Sequence, residues 1–314
     1  MLLNSAYRLL YYNNQKTKMT HNLETTLKTL DLFGKLKPEK RVEIIKPKVK
    51  RNETLDRVVR GYEKGLENYG LYQEGKLKIK IPEYEDDWYY IAKSSAPSEI
   101  SSNNITEFSL LLGEHENKKY FRDVTGLYLS ALINSSKDKD FKIITNYLSK
   151  AIHYVGYKNR KNIDVNGNAG DWVGGGMENG KITINGNAGW GVGDEMKDGK
   201  ITVNGNAEGG VGYEMKDGKI TVNGNAGLGV GYGMEDGEIT VNGNTRDGVG
   251  WDMKDGEITV NGNAGERVGW YMEGGKIHLN GDYEGLARYI SGGNIYHKDK
   301  LIVKGGKKIR RKLI

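Results

Sequence analysis

A nineteen-residue unit, in outline KITVNGNAGxxVGxxMxDG, recurs along the C-terminal half of the chain. It places an Asn-Gly step at Gly167, Gly186, Gly205, Gly224, Gly243, Gly262 and Gly281. Self-similarity at a fixed period marks a solenoid, in which each unit buries its apolar face only by stacking on the next. Within the unit, Ile201 and Val203 flank Thr202, as Ile220 and Val222 flank Thr221. That alternation is the period of a strand with one face inward. Ala207, Val211 and Met215 recur as Ala226, Val230 and Met234, so stacked coils would fill a narrow core with columns of like residues. Each buried Val, Ile or Met contributes roughly 1.5–3 kcal/mol. The expectation is a right-handed parallel β-helix of about seven coils over 163–298, spaced ~4.8 Å, making the chain mainly β.

Composition supports that division. Of the 45 glycines, 35 lie in 163–298, and all four prolines precede it. A proline-free stretch keeps every backbone N–H available for ladder hydrogen bonds. Asn-Gly pairs suit a corner because both residues tolerate positive φ. The columns Asn185–Asn204–Asn223–Asn242–Asn261 and Asn187–Asn206–Asn225–Asn244–Asn263 are expected to hydrogen-bond along the axis. Asp198, Asp217, Asp236 and Asp255 precede glycine in the same turn, where a turn role is more economical than calcium binding.

Charge is strongly segregated beneath a net +6. Residues 1–51 hold 12 Lys/Arg against 4 Asp/Glu, 163–298 hold 11 against 20, and 299–314 hold 7 against 1. The basic ends offer a route to nucleic acid or another anionic surface. No run approaches the ~20 apolar residues of a membrane span, and no secretory signal is legible, so a cytoplasmic protein is expected. There is no cysteine, which excludes disulfides and thiol chemistry.

The rest divides into a basic, loosely ordered 1–51, with a short amphipathic helix in 23–36, a small α+β or α-rich domain over 52–138, a capping helix and linker over 139–162, and a terminal strand and basic tail over 299–314. Leu55, Val58, Val59, Tyr62, Leu66 and Tyr69 share one helical face. The runs 76–81 and 88–92 suggest a hairpin, and 106–113 and 125–133 suggest two more helices. Phe141, Ile144, Leu148, Ala151 and Ile152 fit a capping helix over 139–155. Near the other end Ala287 and Ile290 replace the core Val and Met, the coil shortens, and 301–303 reads as a closing strand.

The GNAGxxVGxxM pattern over 163–298 resembles the GXGXG domain found in the glutamate synthase large subunit and in one of the subunits of formylmethanofuran dehydrogenase. The resemblance implies a right-handed β-helix serving as scaffold between catalytic parts, with no active-site residue and no cofactor of its own. It also implies a second reading, a structural subunit of an oxidoreductase or amidotransferase complex.

Chemistry on a solenoid should appear as variation laid over the repeat. The residue after each Val-Gly is Gly175, Asp194, Tyr213, Tyr232, Trp251 and Trp270, and the last four form an aromatic stripe expected to face outward. Such a stripe can meet a protein partner, stack on carbohydrate, or serve as a self-stacked ladder that stiffens the rod. Arg246, Asp247, Glu266, Arg267, His278 and Arg288 also break the repeat, but single out no catalytic pair of carboxylates. His21, His115, His153 and His297 have no metal-ligand spacing. The reading is a non-enzymatic scaffold or interaction module with a protein partner.

Overall fold

The computed structural model describes residues 49–78 and 86–309. Among these residues four α-helices come first: α1 (Glu53–Gln73), α2 (Asp87–Ser95), α3 (Ser102–Leu111) and α4 (Phe121–Ser135). They lead into a parallel β-solenoid of about eight turns. Its main sheet runs β1 (Asp140–Ile144), β2 (Asn162–Asn166), β3 (Lys181–Ile184), β5 (Lys200–Val203), β7 (Lys219–Val222), β8 (Glu238–Val241), β9 (Glu257–Val260), β10 (Lys276–Leu279) and β11 (Asn294–His297). Two antiparallel strands, β12 (Lys300–Lys304) and β13 (Lys307–Lys308), finish it. On a second face β4 (Ala188–Trp190) pairs with β6 (Ala207–Gly209), and a single bridge continues from Ala207 to Ala226. The basic segment 1–48, with its expected short helix, and 310–314 lie outside the described residues.

Register follows the repeat. Ile201 pairs with Ile220 and Val203 with Val222, nineteen residues apart, and the same spacing continues to β10. The inward Ile, Val, Ala and Met columns are buried, and the core runs unbroken into the helices. On the outside, Asn204 Nδ2 donates to Asn185 Oδ1 at 2.8 Å, and this amide ladder continues through Asn223, Asn242 and Asn261 to Asn280. Its first acceptor is a carboxylate, Asp164 Oδ1, at 2.6 Å from Asn185 Nδ2. The second column works differently: Asn206 Oδ1 accepts from the backbone N–H of Asn225 at 2.8 Å, and likewise along the rod.

The Asn-Gly glycines owe their identity to crowding. From Gly186 to Gly281 none of them has positive φ. A Cβ at Gly243 would stand 2.5 Å from Asn225 Oδ1 and 2.7 Å from the Gly224 carbonyl. The expectation of positive φ at this corner is therefore corrected: stacked backbones leave no room for a side chain.

The capping helix expected over 139–155 is a strand, β1, followed by a full turn of irregular backbone. Phe141 and Ile143 point inward and pair with Ile163 and Val165. Strict alternation around Lys142 competes with the helical spacing, and the open edge of β2 decides for the strand by supplying backbone partners. This diverged turn raises the expected seven coils to about eight. The expected hairpin is also corrected, because 88–92 belongs to α2 and Lys76–Lys78 carry no strand. Residues 79–81 lie outside the described residues.

The cap is provided by α3 and α4. Ser109 Oγ accepts from Ile144 N–H at 3.0 Å, and Thr106 Oγ1 donates to the Lys142 carbonyl at 2.8 Å, so side chains satisfy the outer edge of β1. Along α4, Gly126, Ser130 and Asn134 fall four apart on one face. A methyl at Gly126 would overlap the His153 carbonyl. Ser130 Oγ accepts from the N–H groups of Gly156 and Tyr157 at 3.0 and 3.1 Å. Asn134 Nδ2 donates to the Tyr157 carbonyl at 3.2 Å. At the far end, Lys298 and Asp299 both have positive φ, as the tight turn between β11 and β12 requires.

Candidate interaction surface

Each coil turns outward through Val-Gly-x-x-Met, with Val and Met buried and the residue after Val-Gly buried where it is Gly175 but half-buried where it is Asp194, Tyr213, Tyr232, Trp251 or Trp270. Stacking in register brings Tyr213, Tyr232, Trp251 and Trp270 into one ladder. Tyr213 and Tyr232 lie 5.0 Å apart at 2°, and Trp251 and Trp270 lie 4.9 Å apart at 10°. Tyr232 and Trp251 are 5.5 Å apart but tilted by 46°. All four rings are half-buried. Within the Tyr213–Tyr232 and Trp251–Trp270 pairs the rings cover each other's facing sides, so these pairs offer solvent mainly ring edges. The Arg267 guanidinium lies over Trp270, 5.0 Å from the ring centre.

The ladder does not end at Trp270. Tyr271 and Tyr289 occupy the adjacent column and stack at 6.2 Å and 8°. Sequence reasoning missed this pair. The signal was the shortened coil: Tyr289 follows Tyr271 by eighteen residues, and Tyr271 N–H donates to the Tyr289 carbonyl at 2.9 Å. Arg288, next to Tyr289, is exposed.

A second surface is an open groove of about 790 Å³ along another corner, lined by Asp198, Asp217, Asp236 and Asp255 with Glu238 and Glu257. Each aspartate Oδ1 accepts from the N–H of the glycine that follows it, at 2.6 to 2.8 Å, which is the turn role the sequence suggests. Among the described residues no group of three His, Asp or Glu side chains is arranged to hold a metal ion.

The remaining irregular residues are dispersed. His153 Nδ1 accepts from Asp171 N–H at 2.7 Å at the junction of α4 with the rod. The His278 ring stacks on Tyr296 at 4.7 Å, and His297 Nε2 stands 3.8 Å from Asp282. Asp247 Oδ1 accepts from Glu266 N–H at 3.1 Å. His115 is buried against Tyr62 with neither ring nitrogen paired, and burial pushes its pKa down. His21 lies outside the described residues.

No helix among the described residues is long and apolar enough to cross a membrane. In comparisons with known proteins, no family model and no curated sequence matches the chain.

Proposed function

We propose that the protein is a non-enzymatic scaffold that holds a protein partner against the side of a rigid rod. The observation that carries this reading is the in-register stacking of coil on coil, with one buried core running from α1 through the last turn. A solenoid so connected fixes the spacing of its outward columns, and the aromatic ladder lines up apolar edges along the axis. Edge-presenting rings favour an apolar protein surface over carbohydrate, which takes up ring faces.

Photo-crosslinking from an unnatural residue at Asp252, next to Trp251 in the ladder, tests the reading in the native cell. A discrete adduct that disappears when Tyr232→Ala and Trp251→Ala are introduced together is expected. An adduct unchanged in that double variant removes the ladder from the interface.

The GXGXG resemblance supports a second reading, in which the rod is a structural subunit of an oxidoreductase or amidotransferase assembly. Mild purification of the tagged chain separates the two, since stoichiometric redox or amide-transfer subunits accompany only the latter. A cytoplasmic site of action fits both readings.

A further inference from the structure

We propose that the C-terminal end of the rod binds single-stranded nucleic acid, through base stacking on the outer face of Tyr289, which Tyr271 backs, and phosphate contacts from the cations around them. This role is distinct from that of the ladder. Both tyrosines are exposed, at 45% and 57%, and their rings are parallel. Tyr289 closes its column, because the chain beyond it leaves the repeat and enters the β11–β12–β13 hairpins. Its ring therefore has a face that no further coil covers among the described residues.

The charge of this end differs from that of the rod. Arg267 and Arg288 are exposed beside the tyrosines, and Lys300, Lys304, Lys307 and Lys308 are exposed on β12 and β13. The turn between those strands packs onto the same coil: a Cβ at Gly306 would meet the Ile290 carbonyl at 2.7 Å, one residue past Tyr289. None of these six cations forms an ion pair among the described residues. Over 262–298 four acids meet four bases, whereas over the whole of 163–298 acids outnumber bases 20 to 11. A polyanion is thus repelled by the rod's length and held at one end.

Exposed aromatic faces with cations around them select a strand whose bases are free to stack. A duplex hides its base faces, and an anionic bilayer has none. Binding to a single strand is sequence-tolerant and strongly dependent on salt.

The test uses the full chain and fluorescence anisotropy of labelled oligo(dT) across a salt series. Tyr271→Ala with Tyr289→Ala is expected to weaken binding at least about fivefold, the lower end for losing one stacked base. The slope of log affinity against log salt is expected to stay unchanged in that variant. Arg288→Ala with Lys307→Ala is expected to flatten the slope by about 0.7 for each phosphate no longer neutralised. Tyr289→Ala alone removes the most exposed ring and guards against a folding defect, and Tyr271→Phe with Tyr289→Phe should bind as wild type. Equal affinity for duplex, or equal competition by heparin or phosphatidylserine vesicles with the tyrosine variants unaffected, overturns the proposal. Absence of oligo(dT) binding at low salt overturns it as well.

Discussion

Gly250 lies directly against the side chain of Ile277: a methyl group added to Gly250 would stand 2.5 Å from Ile277 Cδ1. Gly250 also has φ +67°, in the left-handed region. Two separate penalties therefore meet at one residue. Gly229 has φ +71° but open space around its Cβ position, so it carries only the first.

Substitution separates them. Gly229→Ala is expected to cost about 1–2 kcal/mol for a left-handed non-glycine residue. Gly250→Ala should cost about 1–3 kcal/mol more from overpacking. Denaturant unfolding followed by tryptophan fluorescence measures both, and equal losses would show that crowding against Ile277 is relieved by a small shift.

The two asparagine columns predict unequal responses to an isosteric charge. Asn223 donates to Asn204 at 2.9 Å and accepts from Asn242 at 2.8 Å, so Asn223→Asp removes a donor and sets two acceptors face to face. Asn225 only needs to accept, from Asn244 N–H at 2.8 Å, and an aspartate does that equally well. At pH 7 the Asn223→Asp chain should lose about 0.5–2 kcal/mol and Asn225→Asp less than about 0.5 kcal/mol, read from paired thermal melts. The native Asp164 stands at the start of the first ladder, where an acceptor alone is required.

Ser130→Ala leaves the N–H groups of Gly156 and Tyr157 facing an apolar methyl at the cap junction. A loss of about 1–3 kcal/mol is expected for the buried Gly156 donor left unmet, since Tyr157 N–H keeps the Tyr154 carbonyl at 3.2 Å. Hydrogen exchange at these two amides should accelerate more than exchange in β8 or β9. Uniform acceleration along the rod would instead mean that the cap and solenoid open as one unit.

His115 predicts an acid-sensitive cap. Burial is the largest cause of its lowered pKa, with Glu63 and Glu114 opposing and Lys118 and Arg51 assisting. The imidazole is therefore neutral in the folded protein at pH values where the unfolded chain binds a proton. Stability is fully present above the unfolded pKa of about 6.5 and falls as the pH drops through it. Melting temperatures from pH 7.5 to 5 should decline less steeply in His115→Phe than in wild type, and parallel curves would exclude His115 as the source.

Particular residues show what could be seen in advance. The Ile201–Val203 alternation and the nineteen-residue period made the strands, their register and the inward columns legible before any coordinate. The face of α1 was legible too, since Leu55, Val58, Tyr62 and Tyr69 are buried as their spacing implies. Residues 88–92 and 139–155 were misread because short apolar runs fit two periods, and the deciding partner lies elsewhere in the chain. The Tyr271–Tyr289 pair was hidden by a single-residue change in coil length.

The sequence by itself determined the solenoid, because a fixed period of like residues can bury its apolar face only by stacking in register. Only the tertiary structure decided that Phe141 and Ile143 begin the rod, that Ser109 and Ser130 close its first edge, and that the aromatic rings cover one another's faces. Those outcomes depend on which backbone donors and ring faces are left open once the coils are stacked, and no local pattern carries that information.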